Sequence, residues 1–163
     1  MTGNPGESAA GFHALDNGVD APALAQAHLH SMPRVMEGQW LASNDAVRAM
    51  MDVSDGVFQD AGHLAKAGGL GINMFRDALP VSDALREYSE SSGMDATRFL
   101  LGGGEDFELL FALNANSGDR ILEDFHHEFQ TPLTVIGEFT ENWKGVRLDG
   151  EEVEIQGWDH FRT

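Results

Sequence analysis

One abrupt change of pattern constrains the fold of this sequence more than any other feature. Residues 47–53 form a short apolar run that predicts a buried strand, and the run ends at Ser54-Asp55-Gly56. Directly afterwards, from Val57, apolar residues recur at helical spacing until Gly68 and Gly69 stop the helix. A strand that passes into a helix through an acidic turn delivers polar side chains to the end of that strand.

Strand-like and helix-like segments alternate along the rest of the chain. Helices are predicted over residues 21–30, 36–42, 82–91, 95–101 and 119–129, strands over residues 70–75, 107–113 and 133–139, and a hairpin over residues 146–155. Ser82 and Asp95 are the predicted N-caps of two helices. This order predicts an α+β fold in which helices cover a mixed sheet. The first 20 residues, rich in Gly, Asn, Pro and Asp, are expected to pack poorly, as a severed end would.

Composition excludes several classes of function. The 163 residues carry 27 acidic against 10 basic side chains, a net charge of −17. Such a charge repels nucleic acid and anionic membranes alike. The absence of cysteine excludes disulfides, thiolate zinc sites and thiol nucleophiles. With no signal-like start and no run of about 20 apolar residues, the sequence predicts a soluble cytoplasmic protein.

The acidic turn is the first candidate site. Asp52 and Asp55 can converge on one hard cation such as magnesium, which prefers carboxylate oxygens. Gly56 and the free amides of the following helix would then suit a nearby phosphate. A simpler interpretation stays open, because most Ser-Asp-Gly tripeptides only cap a helix and form a turn.

A glycine-rich loop is the second candidate site. Gly102, Gly103 and Gly104 precede Glu105 and Asp106 and lead into an apolar strand. Glycines let the backbone approach a ligand closely, and a carboxylate there can bind a cationic or amine-bearing substrate. The loop lacks the lysine of a P-loop. It is equally typical of a tight helix-to-strand connection with solvated acids.

Trp158 is the third candidate, a large aromatic residue in a polar C-terminal tail. It can stack on a heteroaromatic ring, with a cation–π contribution if the ring is positive, or it can anchor the tail to the core. The histidine pairs offer less, because His28 with His30 and His126 with His127 lack a convincing third zinc ligand. No elbow motif supports Ser-His-Asp catalysis.

Three motifs together carry a family resemblance. They read Met51-Asp-Val-Ser-Asp-Gly-Val, Gly103-Gly-Glu-Asp-Phe-Glu-Leu-Leu-Phe and Gly157-Trp-Asp-His-Phe. In order and spacing they resemble the C-terminal half of the thiamine-monophosphate kinase family, within the aminoimidazole-ribonucleotide synthetase superfamily. The resemblance implies a three-layer α/β/α domain with a mixed sheet over residues 21–163. It implies that residues 1–20 are a junction from a missing N-terminal ATP-binding domain, through which the full-length family members form homodimers.

The resemblance also implies a reaction and its residues. Family members transfer the γ-phosphoryl group of ATP to thiamine monophosphate, giving thiamine diphosphate with magnesium as cofactor. Asp52 and Asp55 match magnesium ligands, with Asp55 the catalytic position, and Ser54 matches an ATP contact. Glu105 and Trp158 match substrate-binding positions.

Departures from the family pattern leave alternatives open. Phe107 stands where tyrosine is common, and Glu7 where aspartate is usual. Since the N-terminal domain normally supplies further metal ligands and most of the nucleotide pocket, this chain alone is expected to be inactive and to bind magnesium weakly. A second interpretation is that the chain belongs to another ATP-dependent synthetase of the superfamily, but the tail that contains Trp158 argues against it. A non-catalytic thiamine-phosphate-binding or dimerisation module is a third.

Overall fold

The computed structural model describes residues 1–155, so Trp158 and the rest of the C-terminal tail lie outside the described residues. Within that range the chain forms seven α-helices and five strands. The helices are α1 Glu7–Asp16, α2 Pro22–Leu29, α3 Val35–Ala42, α4 Val57–Gly68, α5 Asp83–Ser92, α6 Ala96–Gly102 and α7 Gly118–Glu128. The strands are β1 Val47–Asp52, β2 Gly71–Met74, β3 Leu109–Leu113, β4 Gly137–Thr140 and β5 Gly145–Leu148. In this range no helix combines the length and the apolar character that crossing a membrane requires.

The strands form two sheets, and the larger one is mixed, which confirms the α+β prediction. β1 pairs with β3 in antiparallel orientation. β2 is the central strand of the three-stranded sheet and pairs antiparallel with β4 and parallel with β5. Hydrogen bonding thus divides the predicted sheet into a two-stranded and a three-stranded unit among the described residues.

Helix α4 positions the acidic turn because its apolar face is buried in the main core. Val57, Ala61 and Ala65 are at most 2% exposed, and Val53 in the turn is fully buried. They pack in one cluster with β2 residues Ile72 and Met74. The turn between β1 and α4 is therefore held at both ends by buried apolar residues.

The predicted N-caps are confirmed. The Ser82 hydroxyl accepts a hydrogen bond from the backbone N–H of Leu85, and the Asp95 carboxylate accepts one from that of Thr97. Each cap satisfies a backbone donor that has no partner inside the helix. Caps of this kind can be predicted from the sequence because the donor and the acceptor lie within one helical turn of each other.

The expectation that the first 20 residues pack poorly is wrong. They contain helix α1, in which Ser8, Ala10, Gly11 and Ala14 are buried. Gly11 lies against α2 so closely that a Cβ on it would come within 2.0 Å of the Leu24 carbonyl oxygen. Gly11, one of the glycines on which the expectation of poor packing rested, allows this close helix packing.

Three predicted strand boundaries are also wrong. The strand predicted from Phe107 begins at Leu109, because Phe107 has a left-handed backbone with φ 54°. The strand predicted over residues 133–139 is regular only from Gly137. The predicted hairpin has β5 as its first arm, but beyond the Asp149 turn only one bridge, from Leu148 to Glu151, replaces the second arm.

Candidate functional site

The acidic turn presents its carboxylates at different depths. Asp52 is the last residue of β1, is exposed, and pairs with Leu109 of β3. Ser54 and Asp55 follow in the turn and are half-buried. The Asp55 carboxylate accepts a 3.2 Å hydrogen bond from the side-chain amide of Gln59, one turn into α4.

Asp60 fixes the shape of this turn from the first turn of α4. One of its carboxylate oxygens accepts hydrogen bonds from the backbone N–H of Ser54, at 3.0 Å, and of Asp55, at 3.2 Å. Asp60 is only 1% exposed. Its carboxylate therefore lies buried against the turn and does not face solvent.

Burial raises the pKa of Asp60, because an apolar environment disfavours its charged form. The hydrogen bonds from the amides of Asp55 and Ser54 act in the opposite direction, since they favour the carboxylate. The negative charge of Asp55 adds to the rise and His63 opposes it. Asp60 is therefore electrostatically linked to the candidate ligand Asp55.

The glycine-rich loop lies directly against the acidic turn. The backbone N–H of Glu105 donates to the Ser54 carbonyl at 3.0 Å, and that of Phe107 donates to the Val53 carbonyl at 3.2 Å. In return, the N–H of Val53 donates to the Glu108 carbonyl at 2.8 Å. These bonds extend the β1–β3 pairing past the ends of both strands and join the two candidate sites into one.

Two glycines make this close approach possible. A Cβ on Gly104 would lie 2.0 Å from the carbonyl oxygen of Ser54. A Cβ on Gly56 would lie 2.9 Å from the carbonyl oxygen of Gly103, and its φ of 102° is outside the range that other residues adopt readily. The contact between the acidic turn and the glycine-rich loop thus depends on glycine in both segments.

Two residues that follow the glycines of the glycine-rich loop have left-handed backbones although neither is glycine. Glu105 has φ 63° and Phe107 has φ 54°. Each such conformation costs roughly 1–2 kcal/mol. Non-glycine residues of this kind cluster at ligand sites, where surrounding structure holds them. The side chains of Glu105 and Phe107 are both exposed beside the acidic turn.

Asp106 connects the same loop to helix α1. Its two carboxylate oxygens accept hydrogen bonds from the backbone N–H of Gly6, at 2.8 Å, and of Ser8, at 3.2 Å. Burial raises the pKa of Asp106 to about 7, against the lowering effect of these two amide bonds. The interpretation of Asp106 as a solvated acid is wrong, because this carboxylate caps a helix about 100 residues away.

Glu108 and Arg34 form a second connection behind the loop. Arg34 donates from Nε and Nη2 to the two carboxylate oxygens of Glu108, at 2.9 and 2.7 Å. The Thr2 hydroxyl donates to the same carboxylate at 2.7 Å. The Ser31 hydroxyl also donates to the Glu105 carbonyl at 3.2 Å. Ser31 and Arg34, which both precede α3, therefore attach this segment to the glycine-rich loop and the residues that follow it.

Three side chains at the turn lie close enough to hold a metal ion together. One ligand atom each from Asp55, Asp60 and His63 lies within 4.8 Å of the others. Carboxylate oxygens suit magnesium, whereas the His63 nitrogen is a ligand that transition metals prefer. This group contains Asp55 but not the exposed Asp52, so of the two predicted magnesium ligands the structure places only Asp55 in it.

The structure brings three of the predicted site residues together and leaves one outside the described range. Ser54 and Glu105 are joined by a backbone hydrogen bond, and Asp55 follows Ser54 in the same turn. Asp52 stands at the end of β1, two residues before Ser54. The prediction for Trp158 falls on residues that the structure does not describe.

Sequence reasoning missed the residues that support this site. These residues are three buried carboxylates, Asp60, Asp106 and Glu108. Asp60 accepts from backbone amides of the acidic turn, Asp106 from backbone amides at the start of α1, and Glu108 from the Arg34 side chain. An acidic residue in the first turn of a helix is a known preference, so Asp60 carried a weak signal. Asp106 and Glu108 carried none, because their partners are far away in the sequence.

Comparison with known proteins assigns this chain to a family. Residues 1–150 match the family model described as AIR synthase related protein, C-terminal domain. The chain belongs to this family. Among curated relatives, the thiamine-monophosphate kinase of Salmonella typhimurium is 38% identical over 174 residues, covering all of this chain and 52% of the relative. The chain thus spans about half the length of the curated relatives it matches.

Solved structures agree with this assignment. The structure of AaThiL complexed with AMPPCP and TMP superposes with a TM-score of 0.82 at 33% identity, over 98% of this chain and 50% of that one. Thiamine-monophosphate kinase from Stenotrophomonas maltophilia K279a superposes with a TM-score of 0.83 at 31% identity, over 92% and 49%. The three-dimensional likeness therefore extends over nearly the whole described domain.

Proposed function

We propose that this chain is the C-terminal domain of a thiamine-monophosphate kinase, which phosphorylates thiamine monophosphate with ATP and yields thiamine diphosphate. The observation that carries the proposal is the full-length match of this chain to curated thiamine-monophosphate kinases at 38% identity. The superposition on AaThiL complexed with AMPPCP and TMP supports the same reaction. In this proposal the remaining half of the enzyme is an N-terminal domain, the intact protein is a cytoplasmic homodimer, and residues 1–20 lead from one domain to the other.

The acidic turn would hold the metal and the nucleotide. Asp52 and Asp55 are proposed magnesium ligands, Asp55 being the catalytic position, and Ser54 is a proposed ATP contact. Magnesium, when bound, neutralises the charge between two phosphorylated substrates that otherwise repel each other. Asp60 would keep Ser54 and Asp55 in position through its two backbone hydrogen bonds.

The glycine-rich loop would position the acceptor. Exposed Glu105 is a proposed contact of thiamine monophosphate, and a carboxylate suits its cationic thiazolium and its aminopyrimidine. Trp158 is proposed to stack on the same part of the substrate. Because Glu105 is bonded to Ser54 through the backbone, the two substrates would be oriented by one rigid unit. Positioning, together with electrostatic stabilisation, accounts for most of the catalysis in phosphoryl transfer.

A coupled assay on the gene-length protein tests the proposal. ATP and magnesium are offered with thiamine monophosphate, thiamine or an aminoimidazole precursor, and products are identified by mass. We expect thiamine diphosphate from the monophosphate alone. ATP consumption with a different acceptor would support a synthetase of the same superfamily instead. Absence of turnover, with thiamine monophosphate still bound, would support the non-catalytic module.

A further inference from the structure

A polar cavity of 430 Å³ lies between the segment that joins α3 to β1 and the segment that joins β3 to α7. Its lining is mainly polar and includes Asn44, Asp45, Arg48, Asn114, Ser117 and Arg120. We call it the arginine cavity. It lies at the Val47 end of β1, whereas the acidic turn follows the Asp52 end, about 17 Å away at 3.4 Å per residue. The cavity is therefore separate from the proposed kinase site.

A backbone hydrogen bond and a buried apolar residue hold the arginine cavity in shape. The N–H of Asn114 donates to the Ala46 carbonyl at 2.9 Å, which joins the two segments. Ile121, which also lines the cavity, is 1% exposed and belongs to a buried cluster with Phe125. The walls of the cavity are thus in place without a ligand, as is usual for sites that bind small molecules.

The two asparagines offer hydrogen-bond donors to a ligand. Asn44 Oδ1 accepts from the N–H of Ala46 at 3.1 Å, and Asn114 Oδ1 accepts from the N–H of Asn116 at 3.3 Å. Each amide oxygen is thus engaged by its own turn. The NH2 groups can only donate, and neither they nor the Ser117 hydroxyl has a hydrogen-bond partner within residues 1–155. These side chains therefore suit a ligand rich in acceptor atoms.

Two arginines give the cavity positive charge in a protein whose net charge is −17. In the described part of the chain, the Arg48 side chain forms no ion pair and no hydrogen bond. Arg120 is 82% exposed and pairs with Asp124 at 3.4 Å. An exposed pair of this kind contributes little, so Arg120 can exchange it for a ligand at small cost. Asp45 also borders the cavity, and its charge opposes the binding of an anion.

A phosphate group suits this set of donors better than a carboxylate does. Two guanidinium groups, two NH2 groups and one hydroxyl supply more donors than the roughly four lone-pair sites of a carboxylate can accept. The planar fork of a guanidinium matches two oxygens of one phosphate. The volume of 430 Å³ falls in the range of about 300–1,000 Å³ that is typical of small-molecule sites.

We propose that the arginine cavity binds the phosphate group of a small phosphorylated molecule at a site separate from the kinase reaction. Arg48 and Arg120 bind the phosphate oxygens, and the NH2 groups of Asn44 and Asn114 and the Ser117 hydroxyl donate to the same ligand. A phosphate ion fills part of the cavity, which leaves room for the organic part of the molecule. The site does not depend on the identity of the kinase substrate.

Nuclear magnetic resonance of the gene-length protein tests the site without an assay of activity. Inorganic phosphate, ribose 5-phosphate and acetate are titrated separately at constant ionic strength, with neither magnesium nor nucleotide present. We expect saturable shifts of the backbone amides of Asn44, Ala46, Asn114 and Ser117, with dissociation constants of about 10 mM or lower for both phosphates. Acetate should bind at least about tenfold more weakly. Shifts that do not saturate, that are as large with acetate, or that are confined to the acidic turn would overturn the proposal.

Variants identify the side chains that bind the phosphate. Arg48→Gln and Arg120→Gln should each weaken the binding of ribose 5-phosphate by about tenfold or more. Arg98→Gln removes an exposed arginine outside the cavity and should leave it unchanged. Asp45→Asn removes an opposing charge and should tighten binding about twofold or more, a gain that misfolding does not produce. Equal affinities in all four variants would overturn the proposal.

Discussion

The backbone N–H of Glu105 donates a 3.0 Å hydrogen bond to the carbonyl oxygen of Ser54. This bond links the proposed acceptor-binding loop to the proposed nucleotide-binding turn, although the two residues are about 50 positions apart in the sequence. A displacement of either segment must therefore displace the other.

Gly104→Ala should disrupt the contact between the two loops. Its Cβ would lie 2.0 Å from the Ser54 carbonyl oxygen, so the backbone must shift, at a cost of about 1–3 kcal/mol in the free energy of unfolding. Gly118→Ala is the matched control, because a Cβ there meets nothing within 4 Å and the backbone is helical. Denaturant unfolding of both variants measures the difference, and equal stabilities would show that the loops are not packed this closely.

Asp52→Asn in the gene-length enzyme should abolish most kinase activity and leave the fold intact. The substitution removes a proposed metal ligand from an exposed strand end and changes no core contact. Asp45→Asn, an exposed aspartate just before the other end of β1, is the control and should retain activity. Turnover and circular dichroism are compared, and normal turnover of the Asp52 variant would refute the metal assignment.

Asp60→Ala should raise the magnesium concentration needed for half-maximal activity by at least about tenfold, because Ser54 and Asp55 lose the acceptor that fixes them. Asp60→Asn keeps an acceptor oxygen for both amides and should recover much of that loss. A general structural role would lower stability in both variants without moving the magnesium dependence. Magnesium titrations of activity, with melting temperatures alongside, distinguish the two outcomes.

Asp106 should make stability depend on pH. Its pKa rises from 3.8 to about 7 on folding, so the folded state retains a proton that the unfolded state has lost. The stabilisation from this proton is complete below about pH 4 and is lost as pH rises through about 7. The free energy of unfolding should therefore fall more steeply between about pH 4 and pH 7 in the wild type than in Asp106→Asn. Parallel profiles would contradict the raised pKa.

Arg34→Ala should destabilise the domain by about 3–5 kcal/mol, because it leaves the buried Glu108 carboxylate without its bidentate partner. Arg120→Ala removes the exposed pair with Asp124 and should cost less than about 0.5 kcal/mol. Urea unfolding of the two variants makes the comparison. Similar costs would mean that Glu108 finds other partners or remains hydrated.

Local patterns in the sequence were sufficient for most elements of the fold. Helix α4, strand β1 and the Ser82 and Asp95 caps all depend on residues within a few positions of each other. The predictions failed where distant contacts decide the structure. Helix α1 lies in a segment that was expected to pack poorly, because its glycine is explained only by the close approach of α2.

The candidate site divides in the same way. Asp52, Ser54, Asp55 and Glu105 stand out in the sequence because turns and glycines flank them. Asp106 could not be assigned from the sequence, since its role depends on amides at Gly6 and Ser8, about 100 residues away. The left-handed backbone of Phe107 was equally hidden, because the alternation of apolar residues continues through it into β3.

The central position of β2 has a consequence for synthesis of the protein on the ribosome. Met74 of β2 pairs with Gly137 and Leu148, so both neighbours of this strand are translated more than 60 residues later. At 5–20 residues per second, roughly 4–15 s pass between Met74 and Leu148. Until β4 has been translated, β2 has neither neighbour, and the nascent chain must keep an apolar strand from pairing with other chains before the sheet can close.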